Sequence, residues 1–437
     1  MTMKLELALR QFSAVPSLVL AGFLVTACAT APARPPAPIS TGQPRTDPVP
    51  MPDPTEEPVE ELPEEVDPDE ELAELLHVTP DFMEGRDVHR VAVLLPFSHS
   101  NAAVRHQASG LLAAVEMALF DQGANNILIL PKDTAGDARQ TASVTSEAIR
   151  EGADVIIGPL FATSVQSAAE TARQEDIPVI AFSNDRSVAG GGAYLMSFPP
   201  EEEVARIVDY ALAQNISYFA FMGPSSTYAR RVETALRFEA ARRGGQVVGS
   251  EFYAPDKDNQ APVDEAQRLA NRVTATLNRG IERVAIMIPD DGVQLRAVAP
   301  LLPYYGVNLR QLQYIGTSVW DDEEIWREPV LENAVFAMAD PEDTAYFASA
   351  YQSAYGSSPA SLASLGYDAA ALAMSFVRDG EVTREELEEY DGFHGMNGLF
   401  RFRDDGTVER GLAIMAISPS GPVLVEDAPS SFVVGGS

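Results

Sequence analysis

Short polar loops follow several apolar runs of the sequence and carry the residues best placed to bind a ligand. They are Ser98, Gly158, Pro159, Leu160, Ser183, Asn184 and Tyr228. Each loop leads towards a helical pattern, whose free N–H groups can bind an anion or a carboxylate. Ser, Asn and Gly also cap helices and turn the chain without binding anything. Both interpretations stay open for each loop, but together the loops predict a ligand cleft.

Catalytic motifs are missing from the sequence. It contains no phosphate-binding Walker loop, no zinc-binding His-Glu-x-x-His and no Gly-x-Ser-x-Gly elbow. The 5 histidines are scattered, and a single cysteine allows neither an intrachain disulfide nor a thiolate metal cluster. We therefore expect no catalytic residues, no metal site and no cofactor, and a protein that is not an enzyme.

The chain is strongly acidic, with a formal net charge of −33. Nucleic-acid binding needs Lys and Arg to displace counterions from phosphates, so we expect no nucleic-acid partner. Much of the excess charge lies between Thr46 and Asp81, where Asp, Glu and Pro are frequent and Lys and Arg do not occur. This composition predicts a solvated, semi-extended tether without a binding role of its own.

The N-terminal sequence predicts export and a lipid anchor. A weakly basic start with Lys4 and Arg10 precedes an apolar stretch, Phe12–Ala27, that is short for a transmembrane helix. Small residues then lead to Cys28, the only cysteine, in a pattern that resembles the lipobox of bacterial lipoproteins. The resemblance implies diacylation of the Cys28 thiol and anchoring in a membrane. Ala29 after the cysteine favours the outer membrane, by similarity to the sorting rule of enteric bacteria, and hence a periplasmic location.

Strand and helix patterns alternate from Val88 onward. The apolar run Arg90–Leu95, which ends at Pro96, is typical of a buried parallel strand. Further strands are predicted at Ile127–Leu130, Val155–Ile157, Val179–Ala181, Tyr218–Phe221, Val247–Phe252, Val284–Ile288, Gln313–Ile315 and Val335–Met338. Strands that alternate with helices predict an α/β fold with doubly wound parallel sheets. Roughly 340 residues exceed one hydrophobic core, so we expect two such lobes joined by a hinge.

The expected segments follow from these patterns. They are a signal peptide at 1–27, a lipidated and disordered tether at 28–87, a folded domain at 88–427 and a flexible tail at 428–437. Lobe 1 is expected at about 88–200 and 335–395, and lobe 2 at about 201–334 and 396–427.

Several motifs in this order resemble the periplasmic binding protein type I fold, in its branched-chain amino-acid-binding branch. The resembling segments are 91–96, the Gly110 helix, Asp133-Thr134 with Gly136, 152–160, 177–184, Tyr351, Tyr355-Gly356, Pro359 and 366–370. The resemblance spans Val88 to Val425 and implies ligand contacts from the loops after the early strands. Gly158, Pro159, Ser183 and Asn184 lie in the matching loops, and Tyr228 lies near a position that is often aromatic in amino-acid binders.

The Gly158-Pro159-Leu160 loop, the lipobox and the acidic tether together look most like the penicillin-binding protein activator lipoproteins. That resemblance implies a lipid-anchored regulator that docks on a peptidoglycan synthase and activates it. The best-studied members carry a helical-repeat domain before this fold, whereas this chain has the acidic tether there. The alternative is a lipid-tethered solute-binding protein that binds an amino acid or similar small polar ligand for a transporter or sensor.

Overall fold

The computed structural model describes residues 79–254, 261–379 and 382–432. The predicted signal peptide, the lipidation site at Cys28 and nearly all of the predicted tether lie outside these residues.

Fifteen strands and twelve helices make up the described chain. The strands are β1 (His89–Leu95), β2 (Ile127–Asp133), β3 (Val155–Ile157), β4 (Val179–Ala181), β5 (Ala193–Leu195), β6 (Tyr218–Pro224), β7 (Gln246–Tyr253), β8 (Val284–Met287), β9 (Leu312–Gly316), β10 (Val335–Met338), β11 (Phe393–Gly395), β12 (Gly398–Phe402), β13 (Val408–Arg410), β14 (Ala413–Ser418) and β15 (Gly421–Glu426). The helices are α1 (Ala102–Asp121), α2 (Ala138–Arg150), α3 (Ala162–Ala172), α4 (Pro200–Ala213), α5 (Thr227–Arg242), α6 (Val263–Leu277), α7 (Gly292–Val298), α8 (Leu301–Tyr304), α9 (Glu323–Trp326), α10 (Pro341–Tyr355), α11 (Ala363–Asp379) and α12 (Arg384–Leu387).

Lobe 1 is built on a parallel sheet with the strand order β2-β1-β3-β4-β5. The strands β3, β4 and β5 are buried along their whole length, because helices cover both faces of the sheet. One face packs against α1 and α11, and the other against α2 and α3. The predicted doubly wound arrangement is confirmed for this lobe.

Lobe 2 is built on a sheet with the order β15-β14-β10-β9-β8-β6-β7. The five strands from β6 to β10 are parallel, whereas β14 pairs antiparallel with β10, and β15 pairs antiparallel with β14. The helices α4 and α5 cover one face, and α6 to α9 cover the other. Two α/β lobes with mainly parallel sheets confirm the predicted fold class.

The chain crosses between the lobes near residues 196–200, 338–341 and 410–413, where successive residues change from one core to the other. The lobe boundaries differ from the expected ones at two of these crossings. Val335–Met338 belongs to lobe 2, because β10 pairs with β9 and β14. Residues 396–410 belong with lobe 1, because Phe400, Phe402 and Val408 pack into its core. The antiparallel β11-β12-β13 sheet, which spans residues 393–410, has no counterpart in the predicted elements.

The two ends of the folded region also differ from the expected segments. Residues 79–87, placed in the tether, include a short 3₁₀ turn at Asp81–Met83 whose Met83 is buried, and the Thr79 hydroxyl accepts a hydrogen bond from Arg90. In residues 428–432, placed in the flexible tail, Ala428 packs against the lobe 2 core and Phe432 reaches lobe 1. There the Phe432 ring lies 4.5 Å from the Arg401 guanidinium carbon. Both segments are held by tertiary contacts, which local sequence patterns do not reveal.

Gly366 on α11 provides a test of the packing between α1 and α11. A Cβ at this position would lie 2.7 Å from the carbonyl oxygen of Leu111 and 3.2 Å from its Cα. We expect Gly366→Ala to lower the free energy of unfolding by about 1–3 kcal/mol through overpacking, although Ala favours helix. Urea unfolding measures this change. The control Ser375→Ala, at an exposed position of the same helix, should change stability by no more than about 0.5 kcal/mol. Equal stability of the Gly366 variant and the wild type would contradict the close approach.

Candidate ligand-binding cavity at the hinge

The first turn of α4 carries three consecutive glutamates, each held by a different part of the molecule. The helix begins at Pro200 directly after the crossing from lobe 1, and Glu201, Glu202 and Glu203 occupy its first turn. Acidic residues there also interact favourably with the helix dipole, as the sequence suggests. The structure shows that all three also make specific tertiary contacts.

Glu201 takes part in a contact that joins the lobes. Its two carboxylate oxygens accept hydrogen bonds from Arg231 of α5 at 2.9 and 2.8 Å. The same guanidinium donates to the backbone oxygen of Asn184, in the loop after β4 of lobe 1, at 2.8 Å. Arg231 therefore links α4 and α5 of lobe 2 to lobe 1.

Glu202 faces lobe 1. Arg403, in the turn after β12, donates to both of its carboxylate oxygens at 3.0 Å. This paired geometry is the strong form of an arginine–carboxylate contact. The start of α4 is thus tied to the β12–β13 hairpin as well as to its own lobe.

Glu203 points into the protein and has no ion pair within the described ranges. Its side chain is only 4% exposed. The carboxylate accepts hydrogen bonds from the backbone N–H of Ser318 at 3.0 Å and from the Ser318 hydroxyl at 2.7 Å. Burial raises the pKa of Glu203 to about 7, although the two Ser318 hydrogen bonds favour the ionised form; Glu201 adds a smaller upward shift.

A cavity of about 430 Å³ lies next to Glu203 at the hinge. From lobe 2 the cavity is lined by Glu203, Ser318, Asp321, Met338 and Ala339. From lobe 1 it is lined by residues of α10, the loop 359–361, Ser364 and Asn397. Phe198 of the first crossing also lines it. A ligand in this space would touch both lobes and two of the crossings. Its size falls within the usual range for small-molecule sites.

A buried polar cluster supports the cavity from lobe 1. Asp368 of α11 accepts hydrogen bonds from the Met396 N–H at 2.6 Å and from the Asn397 amide at 2.9 Å. Arg410 donates to the backbone oxygen of Ser197 at 2.6 Å and lies 4.2 Å from the centre of the Phe198 ring. Burial lowers the pKa of Arg410 to about 10, and the charge of Asp368 opposes that shift. These contacts hold Phe198 and Asn397 in place at the cavity wall.

A larger groove of about 790 Å³ runs beside α5, but its charged side chains largely neutralise each other. Arg231 pairs with Glu201, Arg403 with Glu202, and Arg242 with Glu239. The hinge cavity instead contains a buried carboxylate without a cationic partner in the described chain. We therefore regard the hinge cavity as the candidate site.

The residues predicted to form the cleft do not line this cavity. The Asn184 backbone oxygen accepts a hydrogen bond from Arg231, and the Tyr228 hydroxyl is 2.8 Å from that of Thr317, next to Ser318. Ser183 is buried and its hydroxyl accepts from the Asp185 N–H, as in a loop cap. The Ser98 N–H donates to Asp133. A ligand-binding role for these residues stays a prediction.

The Gly158-Pro159-Leu160 loop supports lobe 1. Gly158 has a φ of +91°, and a Cβ there would lie 2.2 Å from the Leu94 carbonyl oxygen. The Pro159 carbonyl accepts a hydrogen bond from the Phe182 N–H at 2.9 Å, and Leu160 packs against the lobe 1 core. The loop therefore fixes the ends of β1, β3 and β4 relative to each other.

Sequence reasoning missed Glu203, Ser318, Asp321 and Arg410. In the sequence Glu203 stands only as an acid at a helix start, and Ser318 and Arg410 belong to no recognisable motif. Three glutamates directly after Pro199-Pro200 are the one signal that could have drawn notice to this turn. In the described residues, no group of three or more His, Cys, Asp or Glu side chains could hold a metal ion. No helix of that part of the chain meets the length and hydropathy needed to span a membrane.

The raised pKa of Glu203 predicts a pH-dependent stability. The folded-state pKa of Glu203 lies above its ordinary value of 4.5, so the protonated carboxyl stabilises the folded protein. This stabilisation is fully present below pH 4.5 and is lost as the pH rises through about 7. The variant Glu203→Gln cannot ionise. Between pH 4.5 and about 8, we expect the unfolding free energy of the wild type to fall relative to the variant by about 3 kcal/mol.

Chemical denaturation across this pH range measures the difference. A companion variant, Ser318→Ala, removes a donor that favours the ionised form, so the fall should move to higher pH. A difference between wild type and Glu203→Gln that is constant with pH would contradict the burial of an uncompensated carboxylate.

Comparisons with known proteins agree with this architecture. Residues 89–422, more than three quarters of the chain, match the family described as periplasmic binding protein. An uncharacterised protein of Rickettsia prowazekii is 20% identical over 224 residues, which are 51% of this chain and 58% of the relative. The chain therefore matches less than two thirds of that relative's length.

Solved structures share the fold at low sequence identity. A putative branched-chain amino acid ABC transporter protein from Rhodospirillum rubrum has a TM-score of 0.66 and 19% identity, over 77% of this chain and 100% of its own. The branched-chain amino acid transporter substrate-binding protein LivJ from Streptococcus pneumoniae, solved with isoleucine, has a TM-score of 0.50 and 17% identity, over 78% and 100%.

These comparisons contradict the prediction of penicillin-binding protein activation, since the similar structures are described as an ABC transporter protein and a transporter substrate-binding protein. The predicted docking on a peptidoglycan synthase is withdrawn with it. The coarser resemblance is confirmed by the family match and by the two-lobed fold. The chain belongs to the periplasmic binding protein family and has its type I, branched-chain amino-acid-binding fold.

Proposed function

We propose that this protein is a periplasmic solute-binding protein that captures a small polar ligand in the hinge cavity. The observation that carries the proposal is the position of the cavity, which is bounded by both lobes and by the Phe198 crossing. A ligand that contacts both lobes stabilises the arrangement in which it is enclosed. Family membership supports the periplasmic location and a role as a binder rather than an enzyme.

The similar structures support a transporter as the recipient of the ligand. The R. rubrum and S. pneumoniae proteins are both described as branched-chain amino acid transporter proteins. Because the identities are below 20%, the ligand of this chain need not be theirs. We therefore propose delivery to an ABC transporter and derive the ligand from the cavity itself.

Filling the cavity tests the proposed site. Ala348 of α10 lines the cavity, whereas Ala345 on the same helix is exposed and does not. We expect ligands found by thermal shift in a library of amino acids, amines, carboxylic acids and neutral solutes to raise the melting temperature of the wild type and of Ala345→Trp. With Ala348→Trp the shift should disappear and the affinity should fall at least tenfold, because the indole occupies the ligand space.

Small-angle scattering of the wild type with and without ligand should show a more compact protein in the bound state. Ligands that bind Ala348→Trp as well as the wild type would place the site elsewhere. A library in which no compound binds the wild type would overturn the proposed function.

We further propose that Cys28 carries the lipid anchor, by the lipobox resemblance of the sequence before it. The full chain expressed in a Gram-negative host should incorporate a palmitate label and sediment with membranes. Cys28→Ala should lose both properties, since no other cysteine can replace the thiol. Sucrose-gradient separation of the membranes tests the expected outer-membrane location. Membrane sedimentation of the unlabelled Cys28→Ala protein would contradict the lipid anchor.

A further inference from the structure

The charged side chains that line the hinge cavity among the described residues are all acidic. Two carboxylates line it, Glu203 in the interior and Asp321 at an exposed position of the loop after β9. No Arg, Lys or His side chain is among the described residues that line it. Arg410 lies behind the Phe198 ring, where its charge faces Asp368 rather than Glu203. The walls of the cavity therefore offer a negative potential to a ligand.

Glu203 lacks the countercharge that its two neighbours have. Arg231 pairs with Glu201 and Arg403 pairs with Glu202, whereas among the described residues only the neutral groups of Ser318 hydrogen-bond to Glu203. A buried carboxylate that is hydrogen-bonded but unpaired carries a large desolvation penalty. A ligand cation in the cavity would reduce that penalty. The arrangement therefore favours a positively charged group near this carboxylate.

The rest of the cavity suits an apolar body attached to that charge. Phe198, Phe347 and Met338 provide aromatic and thioether walls, surfaces that pack against alkyl or aryl groups and tolerate a nearby cation. Thr344, Ser361 and Ser364 add hydroxyl oxygens that can accept N–H hydrogen bonds. A carboxylate on the ligand would meet no basic side chain among these residues.

We propose that the hinge cavity selects a small organic cation, a primary amine on an apolar body, with its ammonium group at Glu203. The inference rests on the proposed function and specifies its ligand class. It separates this chain from a receptor for zwitterionic amino acids, which needs a partner for the carboxylate as well as for the amine. Asp321 at the mouth of the cavity adds longer-range attraction for the same charge.

Three compounds that share an isobutyl group test the charge requirement. Isoamylamine is a cation, leucine is a zwitterion and 4-methylpentanoate is an anion, and all three share the same branched alkyl group. By titration calorimetry at pH 8 with the wild type, we expect isoamylamine to bind at least tenfold more tightly than leucine, and 4-methylpentanoate not to bind. Tighter binding of leucine or of 4-methylpentanoate would overturn the inference. Phenethylamine, phenylalanine and 3-phenylpropionate repeat the comparison for an aryl body.

Charge-removing variants test the role of Glu203. Glu203→Gln keeps the shape of the side chain and should lower the affinity for the amine at least tenfold. Asp321→Asn, on an exposed residue, should lower it about two- to fivefold and is not expected to disturb folding. The control Glu323→Gln, an exposed acid at the start of α9 that does not line the cavity, should leave the affinity unchanged. Equal amine affinity for Glu203→Gln and the wild type would overturn the proposal.

The outcomes also separate this inference from the proposed function. Binding of a neutral or anionic library compound that Ala348→Trp abolishes, with no binding of either amine, would overturn the amine class and leave the solute-binding function in place. Failure of every compound in the library to bind would overturn both.

Discussion

The three carboxylates at the start of α4 connect lobe 1, lobe 2 and the wall of the hinge cavity. Glu201 is joined through Arg231 to lobe 1, Glu202 is joined to the β12–β13 hairpin by Arg403, and Glu203 reaches the loop after β9. All three residues follow directly after a crossing of the chain between the lobes. The first turn of one helix thus links the hinge, the contact between the lobes and the wall of the cavity.

The cavity depends on this arrangement because its walls come from segments that are distant in the sequence. Phe198 belongs to the first crossing, Met338 to the end of β10, and Asn397 to the turn between β11 and β12. Buried partners hold these segments: Arg410 stacks on Phe198, and Asp368 binds the amide of Asn397. A change of the angle between the lobes would alter the distances among the walls. This coupling is the physical basis for the proposed response to a ligand.

Much of the fold could be predicted because short apolar runs and amphipathic patterns are local signals. The predicted strands Val155–Ile157 and Val179–Ala181 have the same limits in the structure, and Ile127–Leu130 extends to Asp133. The antiparallel strands β11 to β15 were missed, since their pairing depends on contacts with β10 and with the lobe 1 core. The hinge cavity has no local sequence signal for a related reason, because its walls come from segments that are distant in the sequence. Ser183 and Gly158 have the residue types of ligand loops and make contacts that support the chain, and their ligand-binding role stays a prediction.

The sequence by itself determined the alternation of strands and helices, the two-lobed α/β class and the absence of an electrostatic footprint for nucleic acid. These properties follow from local periodicity, chain length and total charge, which do not require knowledge of distant contacts. Only the tertiary structure decided which of three adjacent glutamates has no counterion among the residues that the structure describes. Glu201, Glu202 and Glu203 are identical as residue types, but consecutive positions on a helix point about 100° apart. One therefore faces Arg231, one faces Arg403, and the third is buried beside the cavity.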